Sequence, residues 1–181
     1  MIKRYQRPIF KKLFSEKHRY EAFLKVELAC LKAWHELGLF DQDTYYKLNK
    51  ASFDLKTIQM LEKETKHDVI AFTRAVSKSL GEEKKWFHYG LTSTDVVDSA
   101  QSLILRDANE NIKKDINKLL DVLKTHANQY KHTYAMGRTH GIHAEITSFG
   151  LKFALWYSDV KRISQSLELA MQGVEVCKLS G

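Results

Sequence analysis

A single proline, Pro8, stands in 181 residues, so from Tyr20 onward nothing in the chain removes a backbone amide donor and forces the path out of a helix. Long helices are therefore the expected building block. The first should begin after Ser15, whose hydroxyl can cap a free amide, and close near Gly38, which tolerates the left-handed conformation. Between them Tyr20, Phe23, Leu24, Leu28, Leu31, Trp34 and Leu37 recur at helical spacing. Leu55, Ile58 and Leu61 repeat the pattern after Asp54, and Val69, Phe72, Val76 and Leu80 form a third stretch closed by Gly81.

Two longer rods follow. Leu91-Thr92-Ser93-Thr94-Asp95 supplies capping hydroxyls and a first-turn acid, and Val96, Ala100, Leu103, Ile104, Ala108, Ile112, Ile116, Leu119 and Leu123 keep a three-four rhythm up to about Tyr130. At ~1.5 Å per residue this rod is ~50 Å long. Another is expected from about Glu145 to Lys178, apolar at Phe149, Phe153, Trp156, Val160, Ile163, Leu167, Met171 and Val174. Gly150 and Gly173 inside it each cost about 1 kcal/mol relative to alanine, a penalty that close helix packing explains. Two rods with broad apolar stripes cannot bury both in a two-helix hairpin, so further polypeptide and other subunits are expected to cover them. The expected fold is all-α, with a small N-terminal helical domain over residues 1–91. The first long helices of an incomplete bundle domain follow over 92–181.

Composition narrows the partners only coarsely. A formal net charge of +7 suits an anionic partner such as nucleic acid, acidic lipid or a phosphorylated metabolite, without choosing among them. The basic start, Met1 to Phe14, lacks the apolar stretch of a secretory signal, and the longest strictly apolar run is Phe153 to Tyr157, which gives a cytoplasmic reading. Cys30 and Cys177 stand far apart in helical patterns and are expected to be buried, reduced thiols.

Of the eight histidines, His18, His35, His126 and His132 lie in or beside helical patterns without a polar cluster and read as surface or satisfied-core residues. The other four sit in three clusters. Thr65-Lys66-His67-Asp68 has capping-box spacing and puts His67 in the first turn of a helix; it reads either as a plain cap or as an anion-attracting site with a proton-lending imidazole. His88-Tyr89-Gly90-Leu91-Thr92-Ser93-Thr94-Asp95 is either a capped connection or a site offering one imidazole and several hydroxyls to a phosphate or carboxylate. Gly137-Arg138-Thr139-His140-Gly141-Ile142-His143 sets a permanent cation, a hydroxyl and an imidazole between glycines that let a ligand approach the backbone. His140 and His143 lack a suitably spaced third ligand, so no metal is expected. The 95–130 rod separates the second cluster from the third, so a site drawing on both requires a second subunit.

At these residues the sequence resembles the adenylosuccinate lyase family of the fumarase and aspartase superfamily, and the similarity runs along essentially the whole chain. Arg4-Tyr5, Lys66-His67-Asp68-Val69 with Ala71-Phe72-Thr73-Arg74, His88 to Asp95, and Gly137 to Gly141 occur in the family's order and approximate spacing. The resemblance implies the N-terminal portion of a homotetramer with a helical-bundle centre and active sites built from several subunits, working without metal or organic cofactor. It implies β-elimination of fumarate from adenylosuccinate, giving AMP, and from the succinylaminoimidazole carboxamide ribotide of purine biosynthesis. By position His140 is similar to the general acid and His67 to the histidine assisting it. Arg4, Tyr5 and His88 are similar to nucleotide contacts, Thr92 and Ser93 to holders of the succinyl carboxylates, and Lys66, Asp68 and Thr139 to further substrate-binding positions.

Two departures stand out. Lys66 replaces the family's usual arginine, losing its planar two-pronged grip, and Ile146 replaces a common proline. The serine-bearing loop that supplies the family's base is expected beyond position 181, so these residues alone should be inactive. The competing expectations are another lyase of the superfamily, such as argininosuccinate lyase, a basic helical module that binds RNA or DNA, and a truncated homologue that joins full-length tetramers.

Overall fold

The computed structural model describes residues 2–181. Among them run α1 (Pro8–Leu13), α2 (Glu16–Glu36), α3 (Gln42–Leu48), α4 (Leu55–Thr65), α5 (Asp68–Ser77), α6 (Ser93–Gln129), β1 (Tyr134–Thr139), β2 (Ile142–Ser148) and α7 (Phe149–Val174), with short 3₁₀ turns at Lys3–Tyr5 and Glu82–Trp86. The helical expectation holds, and the helix starts follow the capping chemistry. The Ser15 hydroxyl accepts from the His18 amide, and the carboxylates of Asp41 and Asp54 accept from the amides of Thr44 and Thr57 at the starts of α3 and α4. No described helix is long and apolar enough to cross a membrane.

The described chain forms two compact units, one comprising residues up to Asp107 together with Glu175–Gly181, the other Ala108–Val174. In the first, the core gathers the apolar faces of α2, α4, α5 and the start of α6: Tyr20, Phe23, Leu31, Ile58, Val69, Phe72, Val76, Val96 and Ala100 are all buried. Aromatic edges and faces interlock there. The Phe72 ring stacks on Tyr20 at 5.8 Å and takes Phe23 edge-on at 5.6 Å, arrangements that add to the ~1.5–3 kcal/mol each large side chain gains by leaving water.

The same unit holds the N-terminus of α6 through Asp95. Its buried carboxylate accepts from the Thr92 amide at 2.9 Å, closing one half of a capping box, and from the amides of Ser180 at 2.8 Å and Gly181 at 3.2 Å. Lys178 Nζ stands 3.2 Å away. The Thr92 amide foremost, then Ser180, Lys178 and Gly181, outweigh the opposing effect of burial and hold the Asp95 carboxyl down at about 2.

The second unit has a thinner core. Ala108, Leu123, Gly150 and Met171 are buried, but Leu155, Ile163 and Leu169 are 59%, 59% and 70% exposed. A ring ladder of Tyr130, Phe149, Phe153 and Trp156 joins the last turn of α6 to α7, and Lys113 pairs with Glu168 at 2.9 Å.

The structure departs from the sequence reading in several places. The stretch after α6 is a β-hairpin within an otherwise all-α fold, and its second strand takes residues 142–148, so the last helix starts at Phe149 instead of near Glu145 and ends at Val174 instead of Lys178. Ile142, Ala144 and Ile146 alternate with polar residues along β2, but the run is short and its apolar side stays exposed, so it resembles the solvent-facing part of a helix more than a buried strand. Gly150 is indeed a close approach: an added Cβ would lie 2.5 Å from the Ala127 carbonyl oxygen and 2.7 Å from the Lys131 nitrogen. Around Gly173 nothing lies within 4 Å, so packing does not explain that glycine. Cys177 is exposed, beyond the end of α7, whereas Cys30 is half-buried with its thiol pushed up by burial and then by the nearby Glu27 carboxylate.

Candidate functional site

The cluster between α4 and α5 is built by a sharp reversal. Lys66 adopts the left-handed conformation (φ 53°) that ends α4, and His67 returns to extended backbone as the N-cap of α5. His67 thus precedes the first turn instead of lying within it. Its Nδ1 accepts from the Ile70 amide at 3.4 Å, so in a neutral ring the proton sits on Nε2, which makes that nitrogen a donor. The Thr65 hydroxyl bonds both polar groups of the His67 backbone instead of closing a capping box with Asp68. Asp68 uses Oδ1 for the Val69 amide at 2.9 Å and Oδ2 for the Arg19 guanidinium, which reaches across from α2. Lys66 is exposed, its charge free to meet an anion.

The second cluster also rests on α2. His88 and Gly90 take left-handed conformations (φ 65° and 75°), so the chain turns tightly before α6. Trp34 secures this turn: its indole donates to the Tyr89 carbonyl at 3.1 Å, and a Cβ on Gly90 would lie 3.0 Å from the indole ring, which is why glycine is needed. Seven residues back, two turns along the same face of α2, Glu27 meets the His88 ring, Nδ1 donating to Oε1 at 2.6 Å. Here the hydrogen-bonded nitrogen is a donor, the reverse of His67. Thr92 and Ser93 follow, half-buried at the start of α6, where the helix dipole favours negative charge.

The third cluster is the hairpin. Its register pairs Tyr134 with Ser148 and Met136 with Ile146, then shifts, so that Arg138 faces His143 and Thr139 faces Ile142. The shift is a bulge opposite Gly137, where a Cβ would lie 2.7 Å from the Glu145 carbonyl oxygen. His140 and Gly141, at φ 52° and 76°, form the two-residue turn and hold the His140 imidazole exposed at the tip. Below it the Arg138 guanidinium donates to His143 Nε2 at 3.3 Å. At the base the Ser148 hydroxyl donates to the Lys131 carbonyl at 2.6 Å and the Phe149 amide to Thr133 at 2.8 Å, tying the hairpin to the end of α6.

Near the start of the chain Arg4 lies over the Tyr5 ring at 4.8 Å and donates to its hydroxyl at 3.0 Å. A groove of about 550 Å³ beside them is lined by Tyr5, Arg7, Lys11, Phe10 and Phe14, a basic and aromatic mixture. The structure thus sets Arg4–Tyr5, His67 and His88 with Thr92 and Ser93 in the first unit, and Thr139 and His140 in the second. Sequence reasoning missed Glu27 and Arg19. Both lie in the most regular helical pattern of the chain, and only the charge of Glu27, on the face that carries Phe23, Leu31 and Trp34, could have marked it.

The lyase family model matches residues 5–181. The chain is 50% identical over its whole length to the adenylosuccinate lyase of Bacillus subtilis (strain 168) and 49% identical to that of Staphylococcus saprophyticus, and it spans 42% of each of those proteins. Among solved structures it resembles a fumarate lyase from Mesorhizobium sp. BNC1, with a TM-score of 0.87 and 26% identity over 96% of this chain and 42% of that one.

Proposed function

The chain belongs to the lyase family, and from that membership we propose that the intact protein is an adenylosuccinate lyase, to whose active sites these residues contribute. The observation that carries the proposal is the 50% identity to the Bacillus subtilis enzyme along the whole of this chain. The reaction removes a proton from the carbon beside a carboxylate and breaks the bond from the neighbouring carbon to nitrogen. It leaves a double bond in fumarate and a new N–H on AMP. The succinylaminoimidazole carboxamide ribotide is the second substrate.

Each residue type suits its part. Negative charge builds beside the carboxylate, and donors fixed in advance stabilise it without reorganising. The hydroxyls of Thr92 and Ser93, at a helix N-terminus, are such donors for the succinyl carboxylates. His140 protonates the departing nitrogen; its exposure at a rigid hairpin tip suits a group completed by other surfaces. His67, with Nε2–H outward, donates to the substrate and assists it, with Lys66 supplying charge and Asp68 holding the turn. Arg4, Tyr5 and His88 take the nucleotide and its phosphate, and Thr139 lies beside the acid. The base is proposed to come from outside these 181 residues, which alone are inactive, and no metal or organic cofactor takes part.

The reading includes a cytoplasmic homotetramer, with 1–91 as the N-terminal domain and 92–181 as the beginning of the bundle. Two features support assembly. The exposed apolar stripe of α7 needs cover, and α6 runs unbroken for 37 residues, about 55 Å at the helical rise, between Thr92 and the hairpin. In the proposed tetramer the Thr92 end and the His140 end of a pocket come from different subunits. The test is the loss of absorbance on incubating the intact protein with adenylosuccinate, argininosuccinate serving as the comparison. Turnover of adenylosuccinate supports the proposal; turnover of argininosuccinate alone refutes it.

A further inference from the structure

Glu27 is 1% exposed, and its Oε2 has no hydrogen-bond partner among the described residues. A buried carboxylate with one oxygen unpaired is costly, more so than the glutamine or leucine that a purely structural position would accept. Its only side-chain partner among the described hydrogen bonds is His88 Nδ1, at 2.6 Å, in the length range of a charge-assisted contact. The His88 backbone, at φ 65°, and the Trp34 bond to Tyr89 fix the ring's base, so the imidazole is held at both ends.

We propose that Glu27 is the positioning residue for His88: its buried carboxylate retains the proton on Nδ1 and fixes the ring plane, so that Nε2 is the nitrogen presented to the anionic group of the ligand. A carboxylate can only accept, which permits one ring orientation and one tautomer. The amide of glutamine can accept or donate, so it permits both tautomers and removes the negative charge behind the ring. The part of this inference that names the anion rests on the function proposed above; the part that concerns the ring does not.

The test uses the intact protein labelled with ¹⁵N-histidine, the His88 signals being assigned by their loss in His88→Gln. The wild type should show a protonated Nδ1 in a strong hydrogen bond, and Glu27→Gln a mixture of tautomers. AMP binding, measured by calorimetry, should weaken about tenfold in Glu27→Gln, the loss expected for one charge-assisted contact, while kcat changes far less than KM. An unprotonated Nδ1 in the wild type overturns the proposal even if Glu27→Gln fails to fold, and so does unchanged AMP affinity in a folded Glu27→Gln. A wild type with Nδ1 protonated that does not cleave adenylosuccinate supports the positioning role and refutes the lyase reading instead.

Discussion

Replacing Gly150 by alanine should destabilise the protein, although alanine is the better helix former. In an open helix the exchange gains about 1 kcal/mol. At position 150 the new Cβ would lie 2.5 Å from the Ala127 oxygen, 2.7 Å from the Lys131 nitrogen and 2.8 Å from the Lys131 Cα, all backbone atoms that no side-chain rotation can move. The start of α7 must then retreat from α6 by roughly 1 Å, at an overpacking cost of about 1–3 kcal/mol. The retreat also loosens the Gly150 amide bond to Tyr130 at 3.0 Å and the Phe149 bond to Thr133, each worth about 1 kcal/mol. Together these exceed the propensity gain and leave a net loss of about 2 kcal/mol. Gly173→Ala is the control: it meets nothing within 4 Å and lies one residue from the end of α7, so it should be neutral or stabilising by up to ~0.5 kcal/mol. Urea denaturation of the intact protein, followed by far-ultraviolet circular dichroism, gives both values. Stabilisation by Gly150→Ala, or equal damage from both substitutions, would refute the packing argument.

Three further outcomes follow from the geometry. The Asp95 carboxyl, held at about 2 and so below the ordinary carboxylate value near 3.8, stabilises the fold fully above about pH 4 and loses that contribution as pH falls through about 2. Urea midpoints in Asp95→Asn should therefore be lower at neutral pH and flatter between about pH 4 and 2 than in wild type; identical pH profiles would show that the carboxylate contributes nothing. His140→Ala in the intact protein should suppress kcat by at least about a hundredfold, the usual contribution of an acid catalyst, while substrate affinity measured in the absence of turnover changes little. Equal loss of both would argue against the acid role. Removing the Trp34 indole bond with Trp34→Phe should raise KM more than it lowers kcat, because the turn bearing His88 loses its anchor at the Tyr89 carbonyl; a kcat effect alone would place the turn's role elsewhere.

The helices were legible because their signals are local. Ser15 and Asp54 cap where the sequence puts capping chemistry, and the three-four rhythm from Val96 to Leu123 runs uninterrupted through α6. The hairpin was not legible. Ile142, Ala144 and Ile146 alternate with polar residues along β2, but the run is short and most of both strands is exposed, so no buried face sets it apart, and the His140-Gly141 turn is specified by backbone conformation rather than by pattern. Glu27 was hidden for a related reason. A single acid among apolar neighbours on a helix looks like a surface residue, and its burial follows only from a tertiary contact sixty-one positions away. His67 shows the intermediate case: the cluster was recognised, but its place as N-cap depends on the left-handed turn at Lys66, a conformation lysine rarely signals.

The proposed active sites draw their Thr92 end and their His140 end from different chains. Two intact variants, Thr92→Val and His140→Ala, each deficient in cleaving adenylosuccinate, should be dissociated, mixed in equal amounts and reassembled. If different chains supply the two ends, about a quarter of the sites receive both unaltered residues by random assortment, and activity should rise towards about a quarter of wild type. Activity no greater than the mean of the two variants alone, in mixed oligomers verified by mass, would contradict it.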